Sequence, residues 1–271
     1  MFMEGANSKE TAKDVLFAEE RKMEIVQLVQ ERGKVLVPDL IAHFQVSPAT
    51  IRNDLRDLEA NGLIKRTHGG AIPPDTLKVG FELENQNKTV KHHKQKQAIA
   101  RRALQFVEDG DIIILDTGTT TLELAKLLKD RRNVTVIVND IEIARCLEDF
   151  EGVQVVIIGG TLRKKFHCTI GPFAANLLSE LNVDKAFLGT NGFSLQKGCT
   201  TPDINQAEIK RIMVKISSQV IVLCDSSKIG ANSFVQFASP EQIDAFVTDD
   251  DVKPGVVEEF AEQGLELIIA K

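Results

Sequence analysis

Two groups of residues have the types and spacing to do chemistry. The first is Thr50, Arg52, Asn53 and Arg56. In a helix they lie opposite the stripe Ile51, Leu55 and Leu58, which recurs at i, i+4, i+7 and calls for burial. Arg suits guanine edges and phosphates, Asn suits adenine edges, and Ser and Thr suit phosphates. A solvated helix face stabilised by charges at i, i+4 gives the same pattern, so this segment alone leaves the two readings level. The second group is Asp116-Thr117-Gly118-Thr119-Thr120-Thr121, after the apolar run Ile112–Leu115 and before a helix expected over 122–128. Hydroxyls, a glycine and a helix N-terminus suit a phosphate, bound by backbone N–H groups and the helix dipole. A threonine-rich helix cap is the plainer alternative. The loop lacks the Gly-Lys-Ser/Thr of a Walker A motif and the Gly-x-Gly-x-x-Gly dinucleotide pattern, so neither ATP nor NAD is indicated and no cofactor is expected.

Other apolar runs end on similar chemistry. Val134–Val138 leads to Asn139-Asp140; 153–158 to Gly159-Gly160-Thr161 and then Arg163-Lys164-Lys165; 186–188 to Gly189-Thr190-Asn191-Gly192; and 220–223 to Cys224-Asp225-Ser226-Ser227-Lys228. Ligands of open α/β sheets gather at the carboxyl ends of strands. Small, hydroxylated and amide residues converging with a lysine suit a polyol phosphate: hydrogen bonds for its hydroxyls, cationic and N–H donors for its anion.

The elements that carry these groups fall into two regimes. A first helix is expected over 19–30, ended by Gly33, with an extended piece at Val35-Leu36-Val37. Pro38 opens a second helix over 39–44. Ser47 is the N-cap and Pro48 the first residue of a third helix, stopped by Gly62. Leu63-Ile64-Lys65-Arg66-Thr67 reads as a strand, His68-Gly69-Gly70 as a tight turn and Ala71-Ile72 as the return. A helix followed by a basic hairpin is the winged form of helix-turn-helix, with Lys65 and Arg66 placed for backbone phosphates beside the groove. From Gly110 onward, short β-branched runs (those above plus 245–247 and 265–269) alternate with helical stretches, the pattern of a mostly parallel sheet covered on both faces. The expected organisation is a DNA-binding domain over 18–72, a linker over 73–87 that begins Pro73-Pro74, and an effector-sensing and oligomerisation domain over 88–271.

Bulk properties exclude several classes. A chain of 271 residues with 43% apolar content can bury two cores, and its net charge of −6 leaves room for a local basic face. The cysteines Cys146, Cys168, Cys199 and Cys224 are scattered, so neither a zinc cluster nor a disulfide framework is indicated, and no metal is expected. Residues 1–14 are polar and lack the apolar core of a signal peptide. With no run long enough to span a membrane, a cytoplasmic protein is expected. Residues 88–102 carry six cations and His92-His93, with apolar Ala98-Ile99 among them and Ala103-Leu104 directly after. They read as a solvated helix opening the second domain in preference to a direct DNA contact.

The segment from Val46-Ser47-Pro48-Ala49-Thr50-Ile51-Arg52-Asn53-Asp54-Leu55 through Leu58-Glu59 to Arg66-Thr67-His68-Gly69-Gly70-Ala71 resembles the signature of the DeoR family of bacterial repressors. It departs at Asn53, where that family usually has a second Arg, which would alter operator preference or phosphate anchoring. The likeness extends to the 116–121 loop, Gly159-Gly160-Thr161-Leu162, 184–189 and Asp225-Ser226-Ser227-Lys228. It implies a recognition helix and wing in which Ser47, Thr50, Arg52, Asn53, Arg56, Lys65, Arg66 and His68 meet double-stranded operator DNA. It implies a sensor similar in fold to ribose-5-phosphate isomerase, with a phosphorylated sugar as effector and Asp116, Thr117, Gly118, Thr119, Thr120, Thr121, Asn139, Gly160, Asn191, Gly192 and Lys228 lining the pocket. Glu208 and Lys210 are expected to border it; His167 and Cys168 have no assigned role. The rival reading is a sugar-phosphate isomerase fused to a DNA-binding domain, with Asp116, Glu208, Asp225 and Lys228 as available acid–base groups. Against it, the carboxylate-rich loop of similar isomerases is here Thr190-Asn191-Gly192, and amides cannot take a proton. A scaffold without an effector is a third reading. A homodimer or homotetramer is expected, because one small module rarely binds an operator tightly enough.

Overall fold

The structure is a computed structural model that describes residues 18–73, 82, 88 and 92–271. The polar segment 1–14, most of the linker over 73–87 and residues 89–91 lie outside the described residues. The chain divides into two units, Met1–Thr76 and Leu77–Lys271.

The first unit runs α1 (Ala18–Arg32), β1 (Val35–Leu36), α2 (Val37–Phe44), α3 (Pro48–Ala60), β2 (Lys65–Thr67) and β3 (Gly70–Ile72). Every element expected from periodicity is present, with shifts of at most two residues at its ends. The extended piece at Val35 is more than a connector: β1 pairs antiparallel with β3, which pairs with β2, giving a three-stranded wing. That pairing explains Gly70, since a Cβ there would lie 1.9 Å from the Val35 carbonyl oxygen. Ile25, Val29, Val35, Leu40, Ile51, Leu55, Leu58, Ile64 and Ala71 form the core.

The second unit runs α4 (His93–Ala103), β4 (Ile112–Leu115), α5 (Thr119–Lys126), β5 (Val134–Val138), α6 (Ile141–Leu147), β6 (Val153–Ile157), β7 (Thr161–Arg163), β8 (Cys168–Ile170), α7 (Pro172–Ser179) and β9 (Val183–Gly189). It continues with β10 (Gly192–Ser194), β11 (Gly198–Thr201), α8 (Ile204–Ile216), β12 (Ser217–Leu223), β13 (Val235–Ala238), β14 (Ala245–Asp249), α9 (Val256–Glu262) and β15 (Glu266–Ala270). Seven strands form one parallel sheet in the order β15-β14-β12-β9-β4-β5-β6. Successive strand residues face opposite sides, so the sheet feeds two cores. Ile113, Leu115, Val136, Phe187 and Ile221 pack with residues of α4, α5 and α6, whereas Ile114, Ile137, Ala186, Leu188 and Val222 pack with residues of α7, α8 and α9.

Three differences from expectation matter for the site. The helix expected over 122–128 begins at Thr119 and ends at Lys126, followed by a 3-10 turn over Leu127–Asp130. The threonines therefore form the first helical turn instead of a loop before it. The β7–β8 hairpin and the small antiparallel sheet β10-β11-β13 were not expected. Their strands are only three or four residues long, most carry Gly, Thr or Ser, and none has the β-branched apolar run that marks the main sheet. Strand β9 is longer than the 186–188 apolar run because its polar start is held by partners: Lys185 pairs with Asp111 at 2.7 Å, and Asp184 accepts the Ile112 N–H at 2.8 Å. No helix among the described residues is long and apolar enough to cross a membrane.

Candidate functional site

Helix α3 is fixed at both its start and its flank. Ser47 caps it, its hydroxyl accepting the Thr50 N–H at 3.1 Å, and the two hydroxyls lie 2.8 Å apart. Asp54 shares the buried face with Ile51, Leu55 and Leu58, and there Arg21 of α1 grips it in two hydrogen bonds, Nε–Oδ2 at 2.7 Å and Nη2–Oδ1 at 3.2 Å. Its i+3 position from Ile51 is the signal that could have placed it inside. Arg52, Asn53 and Arg56 are exposed, as are Lys65, Arg66 and His68 on the wing. Glu59 accepts the Arg66 N–H at 2.8 Å and lies 3.8 Å from its guanidinium, tying β2 to the end of α3. The unit thus holds a row of exposed Arg, Asn and Lys on rigid supports. Ser47 and Thr50 spend their hydroxyls on the cap.

In the second unit, strand order reverses between β4 and β9: the chain runs outward through β5 and β6, then returns to the other side of β4. A crevice for a ligand forms at such a switch point, outside the carboxyl ends of the strands. Asp116 stands there, 1% exposed. Its Oδ2 accepts the Gly189 N–H at 2.9 Å and the Lys210 ammonium of α8, which also donates to the Gly189 carbonyl at 2.9 Å. Asp116 Oδ1 is buried with no partner among the described residues, and so is Asn139 Oδ1, after β5. Since β4 and β5 pair Leu115 with Val138, these two acceptors follow neighbouring strand ends. Buried acceptors without donors suit hydroxyl-bearing ligands or water.

Around them, Thr117 donates to Asp140, which caps α6 by accepting the Glu142 and Ile143 N–H groups at 2.8 and 3.2 Å. Burial pushes the Asp140 carboxyl up, and these hydrogen bonds pull against it. Thr119, Thr120 and Thr121 are buried in the first turn of α5, where backbone N–H groups lack intrahelical acceptors. Thr121 uses its own hydroxyl on the Gly118 carbonyl at 2.8 Å. Lys228, half-buried on the 3-10 turn after β12, faces Asp225 electrostatically. Gly160 and Gly192 have a packing reason to be glycine: a Cβ on either would sit 2.7 Å from a carbonyl oxygen, of Ile170 or Ala231.

Helix geometry corrects one expectation. Positions 208 and 210 lie about 200° apart around a helix, so they cannot share a face. Glu208 is exposed, while Lys210 is buried against Asp116. Gln206, four residues before Lys210, shares its face and accepts from Arg163 Nη1 at 3.3 Å and from the Thr201 hydroxyl at 3.4 Å. Cys168 is fully buried beside β7, and burial pushes its thiol up to about 12, which makes it inert at neutral pH.

A family description for the DeoR C-terminal sensor domain matches residues 91–250, and one for the DeoR-like helix-turn-helix domain matches residues 21–76. The chain belongs to the DeoR family. Among its relatives, the HTH-type transcriptional regulator GlpR of Haloferax volcanii is 39% identical over 92% of this chain and 96% of its own. The HTH-type transcriptional repressor GlcR of Bacillus subtilis is 34% identical over 94% of this chain and 98% of its own. Similar solved structures include ribose 5-phosphate isomerase A from Methanocaldococcus jannaschii, 21% identical over 51% of this chain and 55% of that one, with a TM-score of 0.39. This DeoR-family chain is a DNA-binding transcriptional regulator; its relatives named here are regulators, and the reading of it as an isomerase is set aside.

Sequence reasoning missed Glu82 and gave no pocket role to Lys88, Arg163 or Gln206. Glu82 accepts from Lys88 Nζ at 2.6 Å and pairs with Arg163 Nη2 at 2.8 Å. Burial would raise its carboxyl, but Lys88 and Arg163 outweigh that and hold it below the usual glutamate range. Nothing in local sequence marks Glu82: Lys88 is six residues on, but Arg163 and Asn191 lie far along the chain.

Proposed function

We propose that this DeoR-family regulator represses a sugar-metabolism operon, and that a phosphorylated sugar seated at the carboxyl edge of its parallel sheet modulates operator binding. In this reading residues 18–72 read DNA, 73–87 link, and 88–271 sense the effector and oligomerise, in the cytoplasm. Arg52, Asn53 and Arg56 meet base edges and phosphates, with Lys65, Arg66 and His68 on the backbone beside them. Asp116, Asn139 and the first turn of α5 take the sugar's hydroxyls, Asn191 lines the pocket from the end of β9, and Lys228 adds positive charge. The observation that carries the sensor reading is the pair of buried, unpartnered acceptors, Asp116 Oδ1 and Asn139 Oδ1, at the switch point of the sheet. Assembly as a homodimer or homotetramer is supported by apolar side chains left open to solvent: Phe173 is 80% exposed and Ile204 60%.

Thermal-shift screening of the full chain against phosphorylated and unphosphorylated sugars tests this. A ligand bound by the folded state alone raises the melting temperature by mass action. Stabilisation by a phosphorylated sugar, lost on Asn139→Leu, supports the reading; no shift across pentose and hexose phosphates contradicts it.

A further inference from the structure

The Glu82 side chain is 5% exposed, although it lies on the connection leading from the wing into the sensor. Besides Lys88 and Arg163, it has the Asn191 amide nitrogen 3.4 Å from the oxygen that Lys88 holds. Arg163 is braced for this role. Its guanidinium carbon stands 3.7 Å over the centre of the Phe166 ring, and its Nε is 3.5 Å from Asp203. An arginine, a lysine and an amide converging on one anion form the donor set of a phosphate receptor. Here a carboxylate of the chain itself fills it, and fills it incompletely: Glu82 Oε2 has its ion pair with Arg163 but no well-directed hydrogen bond among the described residues. A phosphate brings three acceptor oxygens and nearly twice the charge. Lys210 and Lys228 also act electrostatically on Lys88, so positive charge from three elements gathers at this point.

We propose that Arg163, Lys88 and Asn191 form the anion subsite of the sensor, and that Glu82 competes with the effector's phosphate for it. The proposal rests on the reading of the strand-end pocket as a phosphorylated-sugar site. It assigns the phosphate to residues from β7, from the connection and from the end of β9, leaving the Asp116 and Asn139 side for hydroxyls. Because Glu82 belongs to the connection between the units, phosphate binding that expels it acts on that connection directly. The ligand then has a differential interaction with two arrangements of the chain, which regulation requires.

The test is calorimetric titration of the full-length protein with inorganic phosphate. Removing a built-in competitor raises apparent affinity by the inverse of the fraction of sites it leaves open, so Glu82→Gln is expected to bind about tenfold tighter than wild type. Glu82→Asp keeps the charge but shortens the reach to both cations, and is expected to fall between the two. Arg163→Gln is expected to bind at least about tenfold more weakly. Glu82→Gln without added ligand is also expected to shift operator affinity in the direction that phosphate shifts the wild type. Equal or weaker phosphate binding by both Glu82 variants overturns the proposal. Phosphate binding that falls on Lys228→Gln yet ignores Glu82→Gln and Arg163→Gln overturns it too, while the sugar-phosphate reading survives. If Glu82→Gln binds neither phosphate nor any sugar phosphate, both fall.

Discussion

Replacing Lys210 by Met tests the electrostatic centre of the sensor. The side chains of Lys210 and Asp116 are 2% and 1% exposed, and the substitution keeps an unbranched chain of similar volume while removing the ammonium. It leaves the Asp116 carboxylate buried, with the Gly189 N–H at 2.9 Å as its remaining hydrogen bond among the described residues and Oδ1 still without one. It also strips the Gly189 carbonyl of its 2.9 Å donor. Removing one member of a buried pair costs about 3–5 kcal/mol, because the survivor is an uncompensated charge. In a unit of this size each kcal/mol moves the midpoint by about 2–4 °C, so the sensor transition should fall by about 6–20 °C. Urea unfolding followed by circular dichroism gives the free energy. Asp116→Asn combined with Lys210→Met removes the stranded charge and should recover at least half of the loss, a non-additivity expected of contacting residues. A loss below about 1 kcal/mol for Lys210→Met, or strict additivity of the two changes, would refute the claim that this pair holds the switch point together.

Further predictions concern other sites. Arg21→Ala strands Asp54 beneath α3 and should cost the winged unit about 3 kcal/mol in denaturant titration. Ser47→Ala removes the cap and should cost about 1 kcal/mol by the same measurement. Glu82 is held below its ordinary value, so it binds fewer protons folded than unfolded. Its contribution is present above pH 4.5 and is lost as pH falls through the folded value, so wild type should lose stability on acidification more steeply than Glu82→Gln. Burial pushes the thiols of Cys168 and Cys199 up to about 12 and that of Cys224 up as well, while Cys146 is partly open. Ellman's reagent at pH 8 should therefore titrate one thiol in the native chain and the other three only after unfolding.

What was legible in the sequence is what local pattern encodes. The Ser47-Pro48 cap, the Ile51/Leu55/Leu58 stripe and the basic hairpin specify the DNA-reading unit, because each is set within a few residues. The seven strands of the main sheet are legible because each carries a short apolar run, the pattern of a parallel sheet covered by helices. The small sheet β10-β11-β13 escaped because Gly198-Cys199-Thr200-Thr201 is a strand by virtue of its partners. The pocket was half legible. Strand ends nominated Asp116, Asn139 and Asn191, and the resemblance added Lys210 on α8, but Arg163 on β7 and Glu82 on the connection meet the rest across 81 and 109 residues, in the pairings Arg163–Glu82 and Asn191–Glu82. Charge pairing over such separations leaves no local trace. Glu208 was nominated together with Lys210 from the resemblance and excluded by the helical period.

The coupling of DNA reader to sensor is tested most directly by fluorescence anisotropy on a DNA fragment selected in vitro for binding to the full chain, titrated with and without phosphorylated sugars. At least one phosphorylated sugar is expected to change the operator Kd by about fivefold or more while its unphosphorylated parent does not. Arg52→Ala should weaken operator binding by about 1–3 kcal/mol and leave the sugar's thermal shift intact. A phosphorylated sugar that stabilises the sensor yet leaves operator Kd unchanged, or an Arg52→Ala chain that loses both activities together, would contradict it.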